Sequence, residues 1–150
     1  MKGSSTIQFH FPYGQIHLRH RQTLQSFLKQ LLKKEGQRLD HVNYIFCSDN
    51  QLLELNQSYL RHDTYTDIIT FGLSAPSEPL LADIYISIDR VKENARLFKA
   101  SFTRELHRVI FHGVLHLSGY KDKTKKDAEL MRSMEERYLK LYFVPRGTAR

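Results

Sequence analysis

Two histidines and an aspartate stand out for the chemistry they could do together. His112 and His116 lie four residues apart in the segment FHGVLHLSGYKD, Phe111 to Asp122. On a helix that spacing puts both imidazoles on one face, one turn apart, where two neutral nitrogens can share a metal ion. Gly119 follows three residues after His116, at a point where the chain has to leave the helix through a backbone conformation that glycine adopts freely. Asp122, three residues further on, can swing back over the helix as a third ligand. The pattern His-x-x-x-His-x-x-Gly-x-x-Asp therefore predicts one zinc ion held by His112, His116 and Asp122, with a fourth position left to water. A bare i, i+4 histidine pair is more often a surface accident, and it is the added glycine and aspartate that favour a ligand set. Water on such an ion can ionise near neutral pH, so hydrolysis is the expected chemistry. In peptidases of the His-Glu-x-x-His kind the residue after the first histidine is the general base. Here it is Gly113, which counts against a metalloprotease.

The helix that carries the histidines is marked by Phe102, Leu106, Val109, Ile110, Val114 and Leu117, an apolar stripe at helical spacing, with Ser101 or Thr103 as its cap. At 100° per residue His112 and His116 fall on the flank of that stripe, at the margin of the core where a cleft can open. Glu105 shares the flank two turns earlier. It reads first as a surface carboxylate, with a role behind the ligands as the alternative.

Upstream, Ile7, Phe9 and Phe11 alternate with polar residues as a strand does, and Pro12-Tyr13-Gly14 ends it. Leu24, Phe27, Leu28, Leu31 and Leu32 predict a helix over 21–35, stopped by Gly36. A strand over 41–48 runs into a capping box of Ser48 and Gln51, which opens a helix through Leu52, Leu55, Asn56 and Tyr59. A polar connector, 61–65, precedes two strands, 67–72 and 80–88, whose short loop suggests an antiparallel hairpin. Val91, Ala95 and Phe98 mark a further helix. A last one is capped by Thr124 with Asp127, turns Met131, Met134, Tyr138, Leu141 and Tyr142 inward, and stops at Pro145. The order β α β α β β α α α predicts an α+β fold: a small mixed four-stranded sheet packed with about five helices, a single layer of them around the metal-site helix. One domain over 1–150 is expected, with 1–5 and 146–150 flexible.

Apolar residues make up 41% and charged residues 26% of the 150, enough for one core in an ordinary water-soluble balance. The formal charge of +7 favours a polyanionic partner, nucleic acid before an anionic membrane surface. Lys121, Lys123, Lys125 and Lys126 flank Asp122, where they can neutralise phosphate near the metal. The single cysteine, Cys47, excludes an internal disulfide and is expected to be a buried, inert thiol. No apolar run approaches a bilayer's thickness and the N-terminal stretch has no apolar signal core, so no membrane partner and a cytoplasmic location are expected.

Several segments together resemble the YbeY family, the bacterial rRNA maturation factors also described as zinc-dependent endoribonucleases. The family signature His-Gly-x-Leu-His-Leu-x-Gly-Tyr-Asp-His is matched at His112, Gly113, Leu115, His116, Leu117, Gly119 and Tyr120, and departs at Lys121 and Asp122. Leu55-Asn56, Tyr59, Asp63, Thr66-Asp67, Thr70-Phe71 and Leu81-Ala82-Asp83-Ile84 are similar to stretches around the family's third and fourth strands. The resemblance implies an α+β fold, one zinc ion on the signature's three ligand positions, and single-stranded RNA as substrate. It also implies work on ribosomal RNA and the small ribosomal subunit. Where the family commonly has an arginine after the residue matching Tyr59 this chain has Leu60, with Arg61 next. Arg61, Lys121 and Lys123 are the candidate RNA contacts. A non-catalytic small-subunit assembly factor with a structural zinc is the alternative to the nuclease.

Overall fold

Why the histidine-bearing helix sits where it does follows from the sheet beneath it. The computed structural model describes residues 5–14, 16–60 and 66–144. The connector 61–65 with Arg61, the four N-terminal residues and the stretch from Pro145 onward lie outside the described residues. Four strands, β1 (Thr6–His10), β2 (Leu39–Cys47), β3 (Ile68–Gly72) and β4 (Leu80–Ser87), form one sheet in the order β1-β2-β4-β3. β1 runs parallel to β2 and β2 to β4, while β3 returns antiparallel along β4 as the expected hairpin. Five helices complete the α+β fold: α1 (Arg21–Lys34), α2 (Asp49–Leu55), α3 (Ile88–Leu97), α4 (Phe102–Leu117) and α5 (Lys125–Tyr142). A π-helical turn, Asn56–Leu60, prolongs α2.

Local signals set most of these boundaries. Ser48 and Gln51 form both halves of the capping box, at 3.1 and 2.8 Å. Ser101 caps α4 through the Arg104 amide and Thr124 caps α5 through the Asp127 amide. Gly36 turns the chain out of α1 at φ 81°.

The main core lies between one sheet face and the helices. Val42, Tyr44, Ile84 and Ile86 meet Leu24, Leu28 and Leu31 of α1 and Leu106, Ile110 and Val114 of α4. Because side chains alternate along a strand, Ile69, Phe71 and Tyr85 face the other way. There they form a smaller apolar cluster with Cys47, and with Leu52 and Leu55 of α2. Cys47 is buried as expected, and burial together with Asp49 and Asp89 pushes its thiol up to about 11, so it stays protonated and inert.

One helix marker lies outside its helix and one inward assignment moves. Phe98 is 61% exposed because α3 has ended there, the next residue, Lys99, turning at φ 56°. Leu141 is 45% exposed and Leu139 is buried in its place. Met131, Glu135, Tyr138 and Tyr142 fix the centre of the α5 stripe, and Leu141 sits 100° behind Tyr142.

Two contacts set the height and rotation of α4. The buried Tyr44 hydroxyl donates to the Ile110 carbonyl at 2.7 Å, pinning the helix to β2 one half-turn before His112. Gly113 faces the sheet, where a Cβ would come within 3.1 Å of Ile84 and 3.2 Å of Ile68. The close approach of helix to strand favours glycine there. Gly113→Ala is expected to destabilise the fold by up to about 2 kcal/mol, the overpacking cost exceeding the roughly 1 kcal/mol gained in helix propensity. Urea midpoints measure it, and a stabilised variant would mean that the helix has slack above the sheet.

His107 is buried against Tyr142, with Nδ1 2.7 Å from the Thr103 carbonyl. Burial holds its pKa below the ordinary histidine value, the Thr103 bond only partly opposing it. The unfolded chain takes up a proton near pH 6.5 that the folded chain refuses. This contribution is therefore complete above that pH and is lost as the pH falls below it. His107→Gln is expected to flatten the fall in unfolding free energy between about pH 7.5 and 5, as read from urea midpoints across that range.

Candidate metal centre

α4 packs its apolar stripe on the sheet and so leaves Arg108, His112 and His116 in a line along its free flank, one turn apart. The helix then ends in a six-residue cap. The Tyr120 amide reaches back to the Leu115 carbonyl at 3.1 Å, and Gly119 takes φ 110°. This turn sends Asp122 back toward the helix, as the spacing predicts. Two tyrosines secure it. The Tyr120 hydroxyl donates to Glu35 at the end of α1 at 2.9 Å, and Tyr138 of α5 donates to the other Glu35 oxygen. One carboxylate thus fastens the turn to two helices.

The deciding interaction lies behind His112. Its Nδ1 is 2.6 Å from Oε2 of Glu135, a carboxylate only 2% exposed on α5. The other oxygen of Glu135 accepts from Arg108 at 2.9 Å. Arg108 also donates to both oxygens of Glu105, at 3.0 and 2.7 Å, and its guanidinium lies 3.7 Å from Asp67. Burial alone would raise the pKa of Glu135, but the hydrogen bond from His112 and the charge of Arg108 outweigh it and hold the carboxyl below its usual range. Burial opposes the charge on Arg108, and its bonds to Glu105 and Glu135 reverse that, lifting it further above its ordinary value. Asp67 is raised, burial exceeding the pull of Arg108 and His112. With Glu135 accepting the proton on Nδ1, the lone pair of His112 is left on Nε2.

That nitrogen faces a hollow of about 400 Å³ lined by all three expected ligands, His112, His116 and Asp122, together with Asp67, Thr70 and Arg132. Nε2 lies 3.3 Å from Asp122 Oδ2. The His116 ring is exposed and parallel to that of His112, 3° between planes and 6.4 Å between centroids. Among the described residues no three His, Cys, Asp or Glu side chains are gathered closely enough to hold an ion. The chemistry of the donor set fits zinc nonetheless: two imidazoles and a carboxylate share one hollow, one imidazole already backed by a carboxylate in the manner of metal-bound histidines. His116 and Asp122 are both solvent-exposed, so their side chains can rotate.

Glu105 is 3% exposed and ion-paired, which corrects its reading as a surface carboxylate: Arg108, one turn on, draws it in. Glu135 and Arg108 are absent from the sequence reading. The signal for Glu135 was a carboxylate on the apolar α5 stripe between Met131 and Tyr138. Lys121 and Lys123 are exposed beside Asp122.

The sequence model described as endoribonuclease YbeY matches residues 8–142. The chain belongs to the YbeY family. It is 49% identical over 136 residues to endoribonuclease YbeY of Cytophaga hutchinsonii, covering 91% of this chain and 95% of that one. To endoribonuclease YbeY of Flavobacterium psychrophilum it is 52% identical over 119 residues, 79% of this chain and 84% of the relative. Among solved structures it is similar to the solution structure of TM1509 from Thermotoga maritima, with a TM-score of 0.61 and 29% identity over 96% of this chain and 99% of the other. Membership of the YbeY family makes it an endoribonuclease, a hydrolase of phosphodiester bonds, in a family that is metal-dependent. No helix among the described residues is long and apolar enough to cross a membrane.

Removing the charge behind His112 tests the expected zinc site without altering any of its three expected ligands. Glu135→Gln is expected to weaken zinc binding about 10- to 100-fold, measured by competition with a chelating dye, and unchanged affinity would deny Glu135 that role.

Proposed function

We propose that this YbeY-family chain is a zinc-dependent endoribonuclease that cuts single-stranded RNA. Its work would lie in ribosomal RNA processing, small-subunit maturation and ribosome quality control in the cytoplasm. His112, His116 and Asp122 are the proposed ligands of one zinc ion. The observation that carries this reading is the orientation of His112, whose inner nitrogen is tied to buried Glu135 while its outer nitrogen opens onto the hollow beside Asp122.

Zinc bound there would supply Lewis acidity toward a phosphodiester oxygen and a water acidic enough to ionise near neutral pH. The rest falls to the chain's own residues. Glu135 stays ionised and keeps the Nδ1 proton of His112 in place, so that Nε2 remains a lone-pair donor. Arg108 keeps Glu135 and Glu105 from repelling one another. Lys121 and Lys123, exposed on either side of Asp122 in the chain, are proposed to neutralise RNA phosphates, and Arg61 is proposed as a further contact. Gly113 occupies the general-base position of the peptidases and faces Ile84 rather than the hollow, which weighs against peptide hydrolysis.

The test is cleavage of a labelled single-stranded RNA by protein stripped of metal, by the same protein after zinc is restored, and by His112→Ala. Stripping is expected to abolish cleavage and zinc to restore it, with His112→Ala lowering kcat/KM at least about 100-fold. Cleavage that co-purifies with the protein yet survives both treatments would overturn the reading.

A further inference from the structure

The hollow beside His112 takes in one more cation that the ligand pattern does not account for. Arg132, on the exposed side of α5, lines it together with Asp67, Asp122, Glu135 and Arg108. We infer that Arg132 grips a non-bridging oxygen of the RNA phosphodiester bound in this hollow, an assignment that rests on the endoribonuclease reading above.

Charge makes the case. A phosphodiester anion entering the hollow meets three carboxylates, Asp67, Asp122 and Glu135. Asp122 contributes a negative charge that a neutral imidazole in its place would not. Arg108 offers the anion little, because its guanidinium is committed to Glu105 and Glu135. Arg132 has no hydrogen bond or ion pair to any described residue, so its donors are available. With Glu105, which shares Arg108 with Glu135, four carboxylates and two guanidiniums leave two net negative charges. A divalent ion cancels them. Without Arg132 the loaded hollow would keep a net negative charge and repel its substrate.

Geometry agrees with this. Arg132 lies next to buried Met131 and three residues before Glu135 on the same helix, so its backbone is anchored while the planar fork reaches solvent. A fork of that kind matches two phosphate oxygens at once, which an ammonium does not. Thr70, whose side chain lines the same hollow from the edge strand β3, offers a hydroxyl donor to the same group.

The experiment uses zinc-loaded protein and a fluorescein-labelled single-stranded 2′-O-methyl RNA, with a gel to show that the probe stays intact. Anisotropy gives its affinity across a salt series, and a dye competition gives zinc affinity. Arg132→Gln is expected to weaken RNA binding about tenfold at low salt and to reduce the slope of log affinity against log salt by about 0.7, the loss of one phosphate contact. Zinc affinity should not fall. Arg132→Lys should recover the slope but not the whole affinity. Lys29→Gln is the control: it removes the same charge from α1, whose side chain lines a separate hollow against β1, at the opposite edge of the sheet. An unchanged slope in Arg132→Gln, or an equal drop in Lys29→Gln, would overturn the assignment. Wild-type protein that neither binds this probe nor cuts RNA would instead bring down the functional reading itself, and this inference with it.

Discussion

A guanidinium held between two buried carboxylates is the constraint from which the rest of the centre follows. Arg108 donates to Glu105 on its own helix and to Glu135 on α5, and Glu135 in turn accepts from His112. Burying these groups is costly, and an ion pair of this kind adds little net stability over an apolar replacement. What it imposes is uniqueness. Each member is satisfied only when α4 and α5 stand in one rotation and one register, because any slip leaves a charge without its partner in a low-dielectric interior. The orientation of His112 is set as a by-product of satisfying that network.

One helix therefore serves two purposes that compete for its surface. The face of α4 that carries Leu106, Ile110, Gly113 and Val114 is committed to the sheet. Tyr44 fixes its rotation through the Ile110 carbonyl, and Gly113 lets it sit close to Ile84. Only the flank remains for chemistry, and Arg108, His112 and His116 occupy it in a single row. The turn after the helix is held separately, by Glu35 bridging Tyr120 and Tyr138. The rigid parts are thus the helix, His112 and the turn, while His116 and Asp122 keep the freedom of exposed side chains.

Much of this was legible from local pattern alone. The strand and helix periodicities, the Ser48–Gln51 box, the Ser101 and Thr124 caps and the Gly119 turn all depend on residues within a few positions of one another. The chain did not advertise what depends on distant partners. Glu105 looked like a surface carboxylate because its burial is decided by Arg108 and by α5 packing over both. Leu141 reads as inward, and Leu139 is the buried one, because the edge of a helical stripe is set by the neighbour it packs on rather than by its own period.

By itself the sequence determined the elements, the mixed sheet they would build, and the spacing that sends His112, His116 and Asp122 toward a common space, since each follows from helical geometry and the backbone freedom of glycine. Only tertiary structure decided which nitrogen of His112 faces outward, which carboxylate stands behind it, and that Arg108 is spent inside while Arg132, at the hollow, has no ionic partner among the described residues. Those outcomes turn on desolvation and on charges brought together from segments more than twenty residues apart, as Glu135 is from His112. No local pattern encodes the balance between burying a charge and pairing it.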